Sequence, residues 1–102
     1  MGYELELRVS PGLSSLADHL APLLRGPESI TASGLANPDG KQYCSIGAGE
    51  SDAPGWPHCC EFVLEDPGRV YVLAHLRVHL DIAKRLAAHL QANGYCVEVF
   101  EP

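Results

Sequence analysis

Asp66-Pro67-Gly68-Arg69-Val70-Tyr71-Val72-Leu73-Ala74-His75-Leu76-Arg77-Val78-His79-Leu80, continued by Asp81-Ile82-Ala83-Lys84-Arg85-Leu86-Ala87-Ala88-His89-Leu90-Gln91-Ala92-Asn93-Gly94 and Tyr95-Cys96-Val97-Glu98-Val99, decides the fold class. Val70, Val72, Ala74, Leu76, Val78 and Leu80 alternate as a half-buried strand requires, while Leu76, Leu80, Ala83, Leu86, Ala87 and Leu90 form a helical stripe. The two readings overlap, and the spacing places a strand from Val70 to about Val78. A helix then runs over about 81–93, with Asp81 as its cap and Gly94 as its terminator. Tyr95, Val97 and Val99 end the segment as a strand. Asp66-Pro67-Gly68-Arg69 opens it with Pro and Gly where a type II turn wants them.

Working outward, residues 3–9 alternate cleanly. Tyr3, Leu5, Leu7 and Val9 point one way, and Glu4, Glu6 and Arg8 the other. Ser10-Pro11 reads as a helix cap followed by Pro at the first helical position. Leu13, Leu16, Ala17, Leu20, Leu23 and Leu24 then share a helical stripe, which Pro22 should kink or end. Gly26-Pro27 closes it. Asn37-Pro38-Asp39-Gly40 predicts a hairpin turn between strands near 29–36 and 41–47. Residues 47–58 (GAGESDAPGWPH) are rich in Gly and Pro and lack periodicity, so they read as a surface loop. Residues 59–65 follow as a strand, favoured by Phe62, Val63 and Leu64.

The order β-α-β-β-β-β-α-β predicts one α+β domain over 1–102, with a mostly antiparallel sheet of about six strands and two helices on one face. A terminal β-α-β unit crosses over, so its two strands should be parallel neighbours or be separated by another strand.

Composition narrows the setting. Apolar residues make up 46% and charged ones 20% of the 102 residues, an ordinary globular balance. No apolar run approaches the roughly 20 residues that cross a bilayer. The start of the chain is acidic where a secretory signal would be basic, which points to the cytosol and to Cys44, Cys59, Cys60 and Cys96 as thiols. The net charge of −6 is uneven: residues 1–66 hold ten acids against Arg8, Arg25 and Lys41, for −7, and residues 67–102 carry +1. Such a field repels nucleic acid and anionic lipid and favours a basic protein partner.

Motifs for catalysis or metal binding are thin. His75 and His79 have the spacing of a zinc-binding helix, but Leu76 stands where a metalloprotease needs Glu. On a strand the two would lie roughly 13 Å apart, too far to share a metal. His58-Cys59-Cys60, with Cys44, offers soft ligands, yet adjacent strand residues face opposite ways and there is no Cys-x-x-Cys pair. Cys59 beside His58 is the one hint of a nucleophilic thiol. No Gly-x-Ser-x-Gly elbow exists, and Gly47-Ala48-Gly49 lacks the remaining parts of a dinucleotide site. Glu4 and Glu6, like Glu50 and Asp52, read as solvated carboxylates.

The loop holds the only Trp, Trp56, between Gly55 and Pro57 with Glu50 and Asp52 near in sequence. Either the ring folds back over the core, or it is an exposed anchor ringed by acids. The functional expectation is a non-catalytic acidic binding module without a cofactor or metal. Its sharpest form is an immunity-type inhibitor that neutralises a basic toxin in the bacterial cytosol, using Glu50, Asp52, Trp56, Glu61 and Glu65. The alternatives are a small ferredoxin-like ligand-binding or regulatory domain, dimerising by its sheet, and a small thiol-dependent enzyme using Cys59 and His58.

Overall fold

A computed structural model of the chain describes residues 3–26, 28–36, 40–47, 60–75 and 79–101. Strand β1 (Tyr3–Ser10) is followed by helix α1 (Leu16–Leu20), a 3-10 turn (Ala21–Leu23) and strands β2 (Ser29–Ala36), β3 (Lys41–Gly47), β4 (Cys60–Asp66) and β5 (Arg69–Ala74). Helix α2 (Leu80–Ala92) and strand β6 (Cys96–Phe100) complete it. The class and element order are those expected from the sequence.

The six strands form one sheet in the order β2-β3-β4-β5-β1-β6, and every neighbouring pair is antiparallel. Strand β1 lies between β5 and β6, pairing Leu7 with Val70 on one side and with Val99 on the other. Because β5 and β6 both run against β1, they are parallel to each other. This is the separated arrangement that a crossover through α2 permits.

Period-two alternation sorts the side chains. Leu5, Leu7 and Val9 of β1, Cys44 and Ile46 of β3, Cys60, Phe62 and Leu64 of β4, and Val70, Val72 and Ala74 of β5 are buried on one face. Against them pack Leu16 and Leu20 of α1 and Ile82, Ala83, Leu86, Ala87 and Leu90 of α2, in one continuous cluster. The α2 residues recur at helical spacing, which gives a single apolar stripe. Burying each of the larger aliphatic or aromatic side chains stabilises the fold by about 1.5–3 kcal/mol.

Several local expectations shift. Strand β5 ends at Ala74 rather than near Val78. His75 sits in a bend, and residues 76–78 lie outside the described residues. Helix α2 starts at Leu80, whose side chain packs on the core, so His79 and not Asp81 is the cap residue. Asp81 instead stands in the first turn, where a carboxylate suits the positive end of the helix, and its Oδ2 accepts from Arg85 Nε at 3.1 Å.

The first helix is shorter than its stripe. Ser10 stays in the sheet opposite Cys96, so it cannot cap a helix. The chain beyond it is tied to the β4–β5 turn by the Leu13 N–H donating to the Pro67 carbonyl at 2.7 Å. Ser15 becomes the cap, its Oγ accepting from the Asp18 N–H. Gln42 of β3 clamps the same turn, accepting from the Leu16 N–H at 2.9 Å and donating to the Ser14 carbonyl at 2.8 Å. The α-helix gives way to a 3-10 turn around Pro22, as its missing N–H demands.

The turn after β4 is also not type II, because Gly68 is not among the glycines of positive φ. The Asp66 carboxylate closes the turn by accepting from the Gly68 N–H at 2.9 Å. Glycine is needed nearby for a different reason. At Gly12 an added Cβ would stand 2.5 Å from Pro67 Cβ and 2.8 Å from the Pro67 carbonyl oxygen.

Gly12→Ala should therefore push the α1 approach off the β4–β5 turn and destabilise the protein by about 1–3 kcal/mol. The denaturant midpoint measures this, and an unchanged midpoint would mean that the Gly12–Pro67 contact does not constrain the fold.

Candidate functional site: the helix-free face of the sheet

The same alternation that buries one face displays the other. Cross-strand register sets its side chains in rows: Tyr43, Val63, Tyr71, Glu6 and Phe100 form one, and Ser45, Glu61, Leu73 and Glu4 the next. Lys41, Glu65, Arg69, Arg8 and Glu98 stand at the third level. Helices cover none of these positions, yet Tyr43, Val63, Tyr71 and Leu73 are only half-exposed.

Charge on this face is largely organised into local pairs. Glu65 accepts from Lys41 Nζ at 2.6 Å, and Glu6 accepts from Arg8 Nε at 2.9 Å. Arg69 donates to Asp66 at 2.8 Å and lies 3.7 Å from Glu6, and the Arg8 guanidinium sits 4.4 Å above the Phe100 ring. Exposed pairs of this kind add little to stability, so they orient the side chains more than they hold the fold. Glu4 is exposed and Glu6 partly so, in keeping with solvated carboxylates, and both also take side-chain partners.

Two tyrosines are held apart. The Tyr71 hydroxyl donates to the Glu4 carboxylate, drawing that ring toward β1. This hydrogen bond, then partial burial and the neighbouring charges of Glu4, Glu65 and Glu61, push the Tyr71 phenol up to about 12. Tyr43 leans the other way, over β2, with its Cε1 3.6 Å from where a Cβ on Gly34 would stand. Between them lies a trough of about 180 Å³ lined by Tyr43, Ser45, Glu61, Phe62, Val63, Tyr71 and Leu73.

Of the residues singled out from sequence, Glu61 and Glu65 both project onto this face, with Val63 between them. Glu50, Asp52 and Trp56, together with His58 and Cys59, lie outside the described residues. The tyrosines, Val63 and Leu73 were missed. Their signal was present: once Phe62, Leu64, Val70 and Val72 are assigned inward, apolar Val63, Tyr71 and Leu73 must face outward.

Cys44 and Cys60 are buried on the core face, and burial pushes the Cys44 thiol up to about 11, away from the reactive thiolate. Among the described residues, no group of three or more His, Cys, Asp or Glu comes together to hold a metal. His75 and His79 fall in a bend and at a helix cap, not on a strand face.

A cleft of about 330 Å³ opens on the helical side, lined by Pro22, Leu23, Arg25, Arg85, Ala88 and His89. Arg85 is committed there, donating from both terminal nitrogens to Glu28 at 2.9 and 2.7 Å and from Nη1 to the Leu23 carbonyl. The Arg85 hydrogen bonds hold the Glu28 carboxyl below its usual range. This pair ties α2 to the chain entering β2. None of the described helices is long and apolar enough to cross a membrane.

Compared with known proteins, the chain matches no family model, no curated protein and no solved structure.

The Tyr71 phenol supplies a direct check on the geometry of the face. One of the four tyrosines should ionise near pH 12, and Glu4→Gln should bring it down toward the ordinary value of about 10, read by phenolate absorbance. Above about pH 10 the unfolded chain releases the Tyr71 proton while the folded one keeps it, so this group lowers stability between about pH 10 and about pH 12. A titration indifferent to Glu4→Gln would contradict the hydrogen bond.

Proposed function

We propose that this chain is a non-catalytic binding module that docks onto a positively charged protein through the helix-free face of its sheet. In its sharpest form it is an immunity-type inhibitor that neutralises a basic toxin in the bacterial cytosol. The observation that carries the reading is the makeup of that face: an apolar floor of Tyr43, Val63, Tyr71 and Leu73 set among carboxylates. Glu4, Glu6, Glu61, Glu65 and Glu98 stand on it against Lys41, Arg69 and Arg8, five acids to three cations.

An apolar centre with a charged surround is the anatomy of a protein interface, in which the centre supplies desolvated contact and the rim steers encounter. The net charge of −6 extends the attraction to a basic partner, although salt screens it beyond about 10 Å at 0.1 M. Glu50, Asp52 and Trp56 belong to the connection between β3 and β4, the two strands that carry Tyr43, Glu61 and Val63. They are proposed to join the same interface, with Trp56 as an anchor.

A second reading has one observation in its favour. The cleft between the 3-10 turn and α2 is large enough for a small ligand, and it supports a ligand-binding domain.

Affinity capture of the tagged chain from its native host discriminates between them. A stoichiometric basic protein released by salt is expected. Glu61→Lys with Glu65→Lys should weaken its binding roughly tenfold or more, mostly through slower association. Binding that ignores both salt and charge reversal would show this face to be the wrong one. Capture of no partner, with thermal stabilisation by a metabolite, would favour the cleft.

A further inference from the structure

We infer that the trough over Val63 receives a single arginine side chain of the basic partner. Its aliphatic stem would lie on Val63 and Leu73, and its guanidinium would meet the Glu61 carboxylate and the tyrosine rings. The inference rests on the binding role proposed above and specifies what enters the site.

Shape comes first. Val63 has Tyr43 and Tyr71 as its direct neighbours on β3 and β5. At about 4.8 Å between strands, the two tyrosines stand about 9.6 Å apart at the backbone. Each ring is pinned outward, Tyr71 by Glu4 and Tyr43 over Gly34, so the space above Val63 stays open rather than closing by ring-to-ring contact. Glu61 and Glu65 flank Val63 along β4, two residues to either side on the same face, at about 6.7 Å each. The trough is therefore apolar in the middle with the Glu61 carboxylate in its lining, while Glu65 beyond it is paired with Lys41, which matches a long stem carrying one terminal cation.

Electrostatics point the same way. The Tyr71 hydroxyl lies in a negative field from Glu4, Glu65 and Glu61, which helps to keep its proton on up to about pH 12. The chain also uses this recognition internally. Arg8 places its guanidinium 4.4 Å over Phe100 while donating to Glu6 at 2.9 Å, pairing an aromatic face with a carboxylate. Tyr71 and Val63 stand in the same row as Glu6 and Phe100, and beside Glu61. Arginine fits better than lysine, because a planar fork can stack on a ring and bond a carboxylate together, whereas an ammonium is a strongly hydrated point charge.

The test is an NMR titration of the full chain with N-acetyl-L-arginine amide, its neutral citrulline counterpart and N-acetyl-L-lysine amide. Saturable shifts for arginine are expected at Tyr43, Glu61, Val63, Tyr71 and Leu73, with lysine weaker and citrulline weaker still. Glu61→Gln, nearly isosteric, and Tyr43→Leu should each weaken arginine binding about three- to tenfold. Their amide spectra establish that the variants remain folded. Arginine shifts that are absent, match those of citrulline, or fall elsewhere overturn the inference. If the trough fails this test while charge reversal at Glu61 and Glu65 still weakens a captured basic partner, only the arginine assignment falls. If the trough binds arginine and no basic partner exists, the assignment stands and the wider role falls.

Discussion

Strand β1 supplies backbone partners to β5 and β6 at once, and the rest of the molecule depends on that double pairing. Without it, β6 would have no neighbour and the crossover through α2 would have no strand to span. The register then places Leu5 and Leu7 opposite Val72 and Val70, so that the apolar sets of two strands coincide on one face. A slip of one residue would turn the slipped strand's apolar set outward, and this makes the register stringent wherever helices cover the sheet. Strands β1 and β6 are thus neighbours, with β6 at the exposed edge of the sheet.

The helices exploit this platform unequally. Helix α2 carries a continuous stripe and covers β1 and β5, whereas α1 is barely more than a turn and is held by side chains from elsewhere. Gln42 satisfies backbone groups at its start, and Arg85 binds the Leu23 carbonyl just after it. Such ties matter because a short helix cannot stabilise itself in isolation. The Arg85–Glu28 pair is mostly shielded, with side-chain exposures of 13% and 17%, so it loses less to solvent screening than the ion pairs on the opposite face.

Helices on only one face leave the other face bare, and the proposed binding role rests on that face. Its apolar residues could have collapsed together, but Tyr71 is held by Glu4 and Tyr43 lies over Gly34. The resulting trough is a consequence of two contacts that point in opposite directions. The acids around it are partly balanced by cations of the same face. This moderates the field locally.

Local sequence settled the strands near 29–36 and 41–47, the amphipathic stripe of α2, the end of α1 at Pro22 and the inward sets of β1 and β5. Each of these follows from local periodicity or from a residue's own backbone chemistry. It could not place the start of α1, since Ser10 is a good cap in isolation and only its pairing with Cys96 removes it from the helix. Nor could it end β5 at Ala74, because the strand and helical patterns overlap through Leu80 and packing against the core decides between them. The site divides in the same way. Glu61 and Glu65 were legible as acids of one strand face. Their grouping with Tyr43, Tyr71 and Leu73 was not, because those residues come from two other strands, β3 and β5, whose register with β4 exists only once the sheet has formed.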